Sequence, residues 1–362
     1  MKSKTRDIYL DFYRGIATIS VVFIHTVYWS GQNYLSDSVG ILYTLALLID
    51  VPLFIFLSGW SAFYTDNINK TFNNLFKVWM QYIIFIIIAD IVCHVILHPG
   101  TLSVQDLLYQ IVFAGSTPYL PVIAGSLWFM PMWIPVALAG SIFTVLLKRF
   151  CKKSDEYIYI YIRIITFLLI GVVWFSITNQ STYFMFSRNF CFYMVFFLLG
   201  YLLANHHFMY KLWQYLGVCA AIILLWFLVS RTFHIPAKDL QSAKFPPHLM
   251  YFVASLLSIV TVIYFRKKID FIVKRCSLIS YIGKNALPFY FSQGIGSSII
   301  YYIYPYFLPY GPYVTLAVCF AANLVITLVC GVGLTQIYRG LFRAVGYIKS
   351  CLVRNKDCHT VK

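Results

Sequence analysis

Arg14 and His25 stand eleven residues apart in an apolar stretch running from Leu10 to Trp29. A helix turns about 100° per residue, so eleven steps end about 20° past three full turns. Both side chains therefore share a face, roughly 16 Å apart along the axis. Asp11, Arg14, Thr18 and His25 make a polar stripe on that face. A charge in hydrocarbon costs at least ~2.5–3.5 kcal/mol, which makes intramembrane Arg and His candidates for function. An imidazole titrates at about pH 6.5 in water and suits removal of a hydroxyl proton. A guanidinium offers a planar fork that suits a phosphate. The structural alternative pairs Asp11 with Arg14 at the inner interface and bonds His25 to a neighbouring helix.

Other residues join this chemistry by depth. Asp50 falls mid-membrane in DVPLFIFLSGW, two residues before Pro52, which removes a backbone donor and predicts a kink facing a cavity. Asp50 and Asp90 are the candidates to orient the second nitrogen of His25; their plainer roles are backbone and interhelical contacts. Lys70 and Lys77 flank the start of the third apolar segment, either as topological charges or as a seat for an anionic ligand. Trp128, in SLWF, is an interfacial anchor or a sugar-stacking surface. Gln293 lies mid-span in ALPFYFSQG and can bond within a cavity. The tyrosines Tyr301, Tyr302, Tyr304, Tyr306, Tyr310 and Tyr313 read as an aromatic belt, and His206 and His207 as solvated loop residues.

These residues need a membrane bundle to position them. The chain is 60% hydrophobic, 11% charged and has a mean hydropathy of +0.76, which excludes an ordinary soluble enzyme. Its net charge of +16 would suggest nucleic acid in a soluble protein. Here the cations cluster at the ends of apolar segments, as topology requires, and no nucleic-acid partner is expected. Nine cysteines without a CxxC pair, most inside apolar stretches, give no metal site. Ten segments qualify as spans: 10–30, 39–64, 75–97, 121–147, 157–178, 183–204, 211–231, 247–265, 284–304 and 311–337. The expected fold is all-α, a polytopic membrane protein of about ten transmembrane helices. With both termini cytoplasmic, 22 of the 28 Lys and Arg lie on the inner side; only Arg188, Arg231, Lys238 and Lys244 lie on the outer side. The first segment is expected to stay uncleaved.

The opening RDIYLDFYRGIATISVVFIH, with VPLFIFLSGW, SLWF, FFLLGYLL and IGKNALPFYFSQ in order, resembles the acyltransferase-3 family, including its fucose O-acetylase-like branch. The family hallmark, a basic residue, ten residues and a histidine in the first helix, is met by Arg14 and His25. Two departures are visible. Asn74 and Lys77 stand where many members carry paired arginines, and Gln293 stands where many have a histidine.

The resemblance implies a transmembrane acyltransferase domain over 1–338 and a basic cytoplasmic tail over 339–362. It implies transfer of an acyl group, acetyl foremost, from cytoplasmic acyl-CoA to a hydroxyl of a surface or lipid-linked glycan. His25, with Asp50 or Asp90, would be catalytic. Arg14, Lys70 and Lys77 would hold the donor, and Trp128 and Gln293 the acceptor. Acetyl-CoA is the expected donor, no metal is expected, and the expected location is a bacterial cytoplasmic membrane. The rival reading is a transporter or flippase of a lipid-linked saccharide, which would more often show an internal repeat.

Overall fold

The computed structural model describes residues 7–30, 37–65, 67–93, 105, 108, 120–150, 154–178, 185–204, 211–266 and 268–359. Most of the expected loop over 98–120, and His206 and His207, lie outside them. Among the described residues the chain is helical throughout, with no strand.

Several helices start where the sequence supplies a cap or a break. α1 (Ile8–Trp29) opens at Asp7, whose carboxylate accepts the backbone N–H groups of Tyr9 and Leu10 at 3.0 and 3.3 Å. The second apolar segment is split into α2 (Asp37–Leu47) and α3 (Val51–Phe63), with Pro52 in the first turn of α3 and Asp50 at its N-cap. The predicted kink is thus a full interruption. α4 (Ile68–Ile91) is capped by Asn67 and begins seven residues before the expected 75, so Lys70 and Lys77 lie on the helix itself. The fourth segment is also divided, into α5 (Pro121–Leu127) and α6 (Phe129–Phe150), with Trp128 between them.

α7 (Ser154–Thr178), α8 (Met185–Leu203), α9 (Leu212–Thr232) and α10 (Leu249–Phe265) follow, then short α11 (Asp270–Arg275) and α12 (Ser277–Lys284). α13 (Ala286–Ile303) leads through a 3-10 turn, Tyr304–Tyr310, into α14 (Pro312–His359). The expected basic tail is therefore helical through His359, continuous with the last span.

All ten expected segments fall at least in part on helices, and among the described residues seven stretches are long and apolar enough to cross a membrane. They are Ile8–Trp29, Val39–Phe63, Ile68–Ile91, Pro121–Phe150, Glu156–Thr178, Leu212–Thr232 and Pro312–Ala344. Two further apolar helices, Arg188–Leu203 within α8 and Leu249–Phe265 in α10, are shorter among the described residues. α13 is more polar because it buries Ser292, Gln293, Ser297 and Ser298. Phe167, Trp174, Leu224 and Phe227 on α7 and α9 stay exposed, as lipid-facing side chains do, and so do Tyr306 and Tyr310.

Two backbone-to-backbone contacts tighten the bundle. A Cβ at Gly15 or Gly283 would collide with backbone of α12 or α1, and one at Gly59 or Gly200 with backbone of α8 or α3. Small residues permit such approach where helices pack without a hydrophobic gain. At one end of the bundle Arg266 joins four helix termini. Its guanidinium reaches Asp7 at 3.1 Å, the Tyr64 hydroxyl at 3.2 Å and the Ala204 carbonyl at 2.7 Å, and lies 4.0 Å from the Trp60 ring centroid. Beside it, hydrogen bonds from Lys274 and Tyr9 hold the exposed Asp270 carboxyl below the ordinary carboxylate range.

Candidate active site

α1 carries the polar stripe between two sets of cavities. At the end where α1 begins, Arg14 is half-buried and its guanidinium donates to the Leu57 carbonyl at 3.4 Å. It lines a cavity of about 260 Å³ with Phe54, Ser58, Phe129, Lys284 and Tyr290, and one of about 280 Å³ with Thr71, Asn74 and Trp133. The first of these shares Lys284, Ala286 and Leu287 with a larger opening of about 420 Å³, which adds Gln81, Arg339 and Arg343. Arg339 is steadied there by Asn285, at 3.3 Å. Cations from α1, α12 and α14 therefore line neighbouring cavities that share wall residues. Such a set can hold phosphates.

Toward the other end of α1, His25 lines a separate cavity of about 230 Å³ with Tyr28, Tyr43, Trp128, Gln241, Lys244 and Phe245. Its Nδ1 is buried and has no hydrogen-bond partner among the described residues. A buried acceptor or donor left open calls for an explanation, and an absent ligand is one. The two cavities are separated by the turn between α5 and α6: Trp128 lines the His25 side and Phe129 the Arg14 side. Behind that turn the rings of Phe54, Phe129 and Tyr290 pack at 6.3 and 5.5 Å between centroids. The Tyr290 hydroxyl donates to the Ser126 carbonyl, tying α13 to α5.

The segment between α9 and α10 forms one wall of the His25 cavity. It is built in, with Leu240, Ala243 and Lys244 buried. Thr44 donates to the Lys238 carbonyl at 2.7 Å, Tyr43 to Gln241 at 3.0 Å, and Arg188 to the Pro247 carbonyl at 2.9 Å. Lys244 Nζ meets Asp50 Oδ2 at 2.6 Å, and the Tyr251 hydroxyl donates to the same oxygen at 3.0 Å. Asp50 thus reaches the site through the helix break, and its carboxylate is engaged by Lys244 and Tyr251.

The remaining expected residues divide. Asp90 is buried on α4 but does not line the His25 cavity. Lys70 and Lys77 are exposed and line none of these four cavities. Gln293 is buried on α13; its Oε1 accepts from Ser297 at 3.4 Å and its Nε2 has no partner among the described residues. Ser297 belongs to a network centred on Asn323 of α14, whose amide donates to Thr26 at 2.8 Å and to Ser297 at 2.9 Å.

Sequence reasoning missed Lys244, Lys284, Arg339, Arg343 and Asn323 as site residues. A polar amide inside an apolar span marks Asn323. The cations had been absorbed into the count of topological charges.

A family model described as an acyltransferase domain, the acyltransferase-3 family, matches residues 7–334. No curated protein and no solved structure matches the chain.

Proposed function

The chain belongs to the acyltransferase-3 family, a family of membrane acyltransferases, and from that premise we propose that it carries an acyl group from cytoplasmic acyl-CoA to a glycan hydroxyl on the far side of the membrane. Acetyl is the proposed group. The observation that carries this reading is the unpartnered Nδ1 of His25 at a cavity it shares with Trp128.

The donor is anionic and made inside, so its phosphates sit among Arg14, Lys284, Arg339 and Arg343, at the cytoplasmic mouth. These cations, and not Lys70 and Lys77, open onto the cavities. The thioester arm extends from there past the rings of Phe54, Phe129 and Tyr290 toward His25. The acceptor enters from outside and stacks on Trp128, with a hydroxyl hydrogen-bonded to the free imidazole nitrogen.

His25 then takes the hydroxyl proton as the oxygen bonds to the thioester carbonyl carbon. The carbonyl electron pair moves to oxygen, the tetrahedral intermediate collapses, and the C–S bond breaks. The departing thiolate takes the proton back from the imidazolium. One ester forms, one thioester is lost, and the histidine ends as it began. Gln293 lies on the helix that borders both α1 and α5, set back from the His25 cavity and tied through Ser297 to Asn323.

Mass spectrometry of cell-surface and lipid-linked glycans, with and without the gene, tests this reading. The expected result is loss of an acyl mass from one glycan in the deleted strain. An unchanged acylation pattern, with altered glycan export, would instead favour a transporter.

A further inference from the structure

We infer that Lys244, held in place by Asp50, is the oxyanion-stabilising residue of this site. This rests on the acyl-transfer reading above, and it supplies the group that the reaction otherwise lacks.

The argument begins with burial. Lys244 is 4% exposed, although it belongs to a connecting segment between two helices. A buried ammonium is costly unless paired, and its pairing is specific: Asp50 Oδ2 at 2.6 Å. Asp50 in turn is 2% exposed and accepts the Tyr251 hydroxyl, so its carboxylate is fixed from two directions. The ammonium lies 5.6 Å from the Trp128 ring centroid and 5.2 Å from that of Phe245. Aromatic faces attract a cation while taking none of its N–H donors in a full hydrogen bond. Lys244 has three donors and, among the described residues, one ion-pair partner, which leaves donor capacity in the cavity it shares with His25.

An ion pair between segments this far apart in sequence could serve packing alone. Its placement argues for more. Lys244 lines the small cavity that also holds the only imidazole on the polar stripe, beside the ring assigned to the acceptor, and Asp50 holds it from behind. When the hydroxyl oxygen attacks the thioester, negative charge develops on the carbonyl oxygen within that cavity. A pre-positioned cation in a water-poor site stabilises such charge without reorganising. Lys244 donates a hydrogen bond to the oxyanion, Asp50 keeps the ammonium aimed, and Tyr251 keeps Asp50 aimed. When the C–S bond breaks, the carbonyl re-forms and Lys244 keeps its protons throughout.

The experiment compares purified wild type with Lys244→Met, Lys244→Arg and the double variant Asp50→Asn/Lys244→Met, using acetyl-CoA and an acceptor glycan. The single methionine variant strands the Asp50 carboxylate in the interior and is expected to lose stability. The double variant removes both charges, so thermal stability near that of the wild type is expected. Its kcat should fall about 10²- to 10³-fold, with the acceptor KM little changed. Lys244→Arg should keep an intermediate kcat. A double variant that regains wild-type kcat would show the pair to be packing only and overturn the inference, while leaving acyl transfer by the wild type intact. A wild type that moves no acyl group would overturn both.

Discussion

Arg14 and His25 share one face of α1 but line separate cavities, Arg14 with Lys284 and Phe129, His25 with Trp128 and Lys244. Trp128 and Phe129, adjacent residues at the turn between α5 and α6, each line one of them. A donor seated at one end and an acceptor at the other would meet across a few aromatic rings. Both ends of the stripe can then be tested separately.

Removing Arg14 should weaken use of the donor. Arg14→Ala is expected to raise the KM for acyl-CoA, and Arg14→Lys to give an intermediate value, because lysine keeps the charge but loses the planar fork. Equilibrium binding of coenzyme A to purified protein checks it. Unchanged affinity in Arg14→Ala would make Arg14 structural.

The close contact of α1 with α12 should be intolerant of any side chain. Gly283→Leu would force apart backbone that now touches Asp11 and Gly15, at a cost of about 1–3 kcal/mol or more. The thermal midpoint in detergent should fall and folded yield with it. A midpoint equal to the wild type would mean that the two helices do not approach as described.

Asn323 should matter for stability beyond its share of the contacts. Asn323→Leu removes the donor that joins Thr26 to Ser297, at about 0.6–2 kcal/mol for bonds between membrane helices. A lowered thermal midpoint with normal membrane insertion is expected. No change would show that the network contributes nothing to helix association.

What the sequence made legible was the period of the first helix and the depth of its polar residues. The eleven-residue spacing placed Arg14 and His25 on one face, and Pro52 signalled the interruption that brings Asp50 into the bundle. Trp128 and His25 were each singled out, and they meet at one cavity. Pairings across the chain were not legible. Lys244 read as an outer topological charge because nothing local reveals that Asp50 and Tyr251 will receive it. Lys284 and Arg339 read as inner charges for the same reason. Among the described residues α13 falls short of a clear span because buried serines and Gln293 lower its hydropathy, and helix starts are set by caps such as Asn67 that a hydropathy window does not see.

The proposed orientation rests on the distribution of Lys and Arg. Single cysteines at positions 37, 106 and 239 should label from outside, and those at 70, 155 and 270 from inside, on a background without accessible thiols. The grouping of Asp7, Tyr64, Ala204 and Arg266 at one end of the bundle requires the ends of α1, α3, α8 and α10 to report the same side. Outside labelling at 270 would reverse the orientation and put His25 on the wrong side for an exported acceptor.

The most direct measurement is turnover by protein purified in detergent, where no gradient or second compartment exists. Wild-type protein given acetyl-CoA and a hydroxyl-bearing glycan should release free coenzyme A in step with acylated glycan. His25→Ala, inserted and folded as well as the wild type, should lose about 10²- to 10⁴-fold of that rate. Near-normal turnover by His25→Ala would contradict the assignment of the base. A wild type that binds glycan but never consumes acetyl-CoA, while moving intact glycan across sealed vesicles, would contradict the enzyme itself.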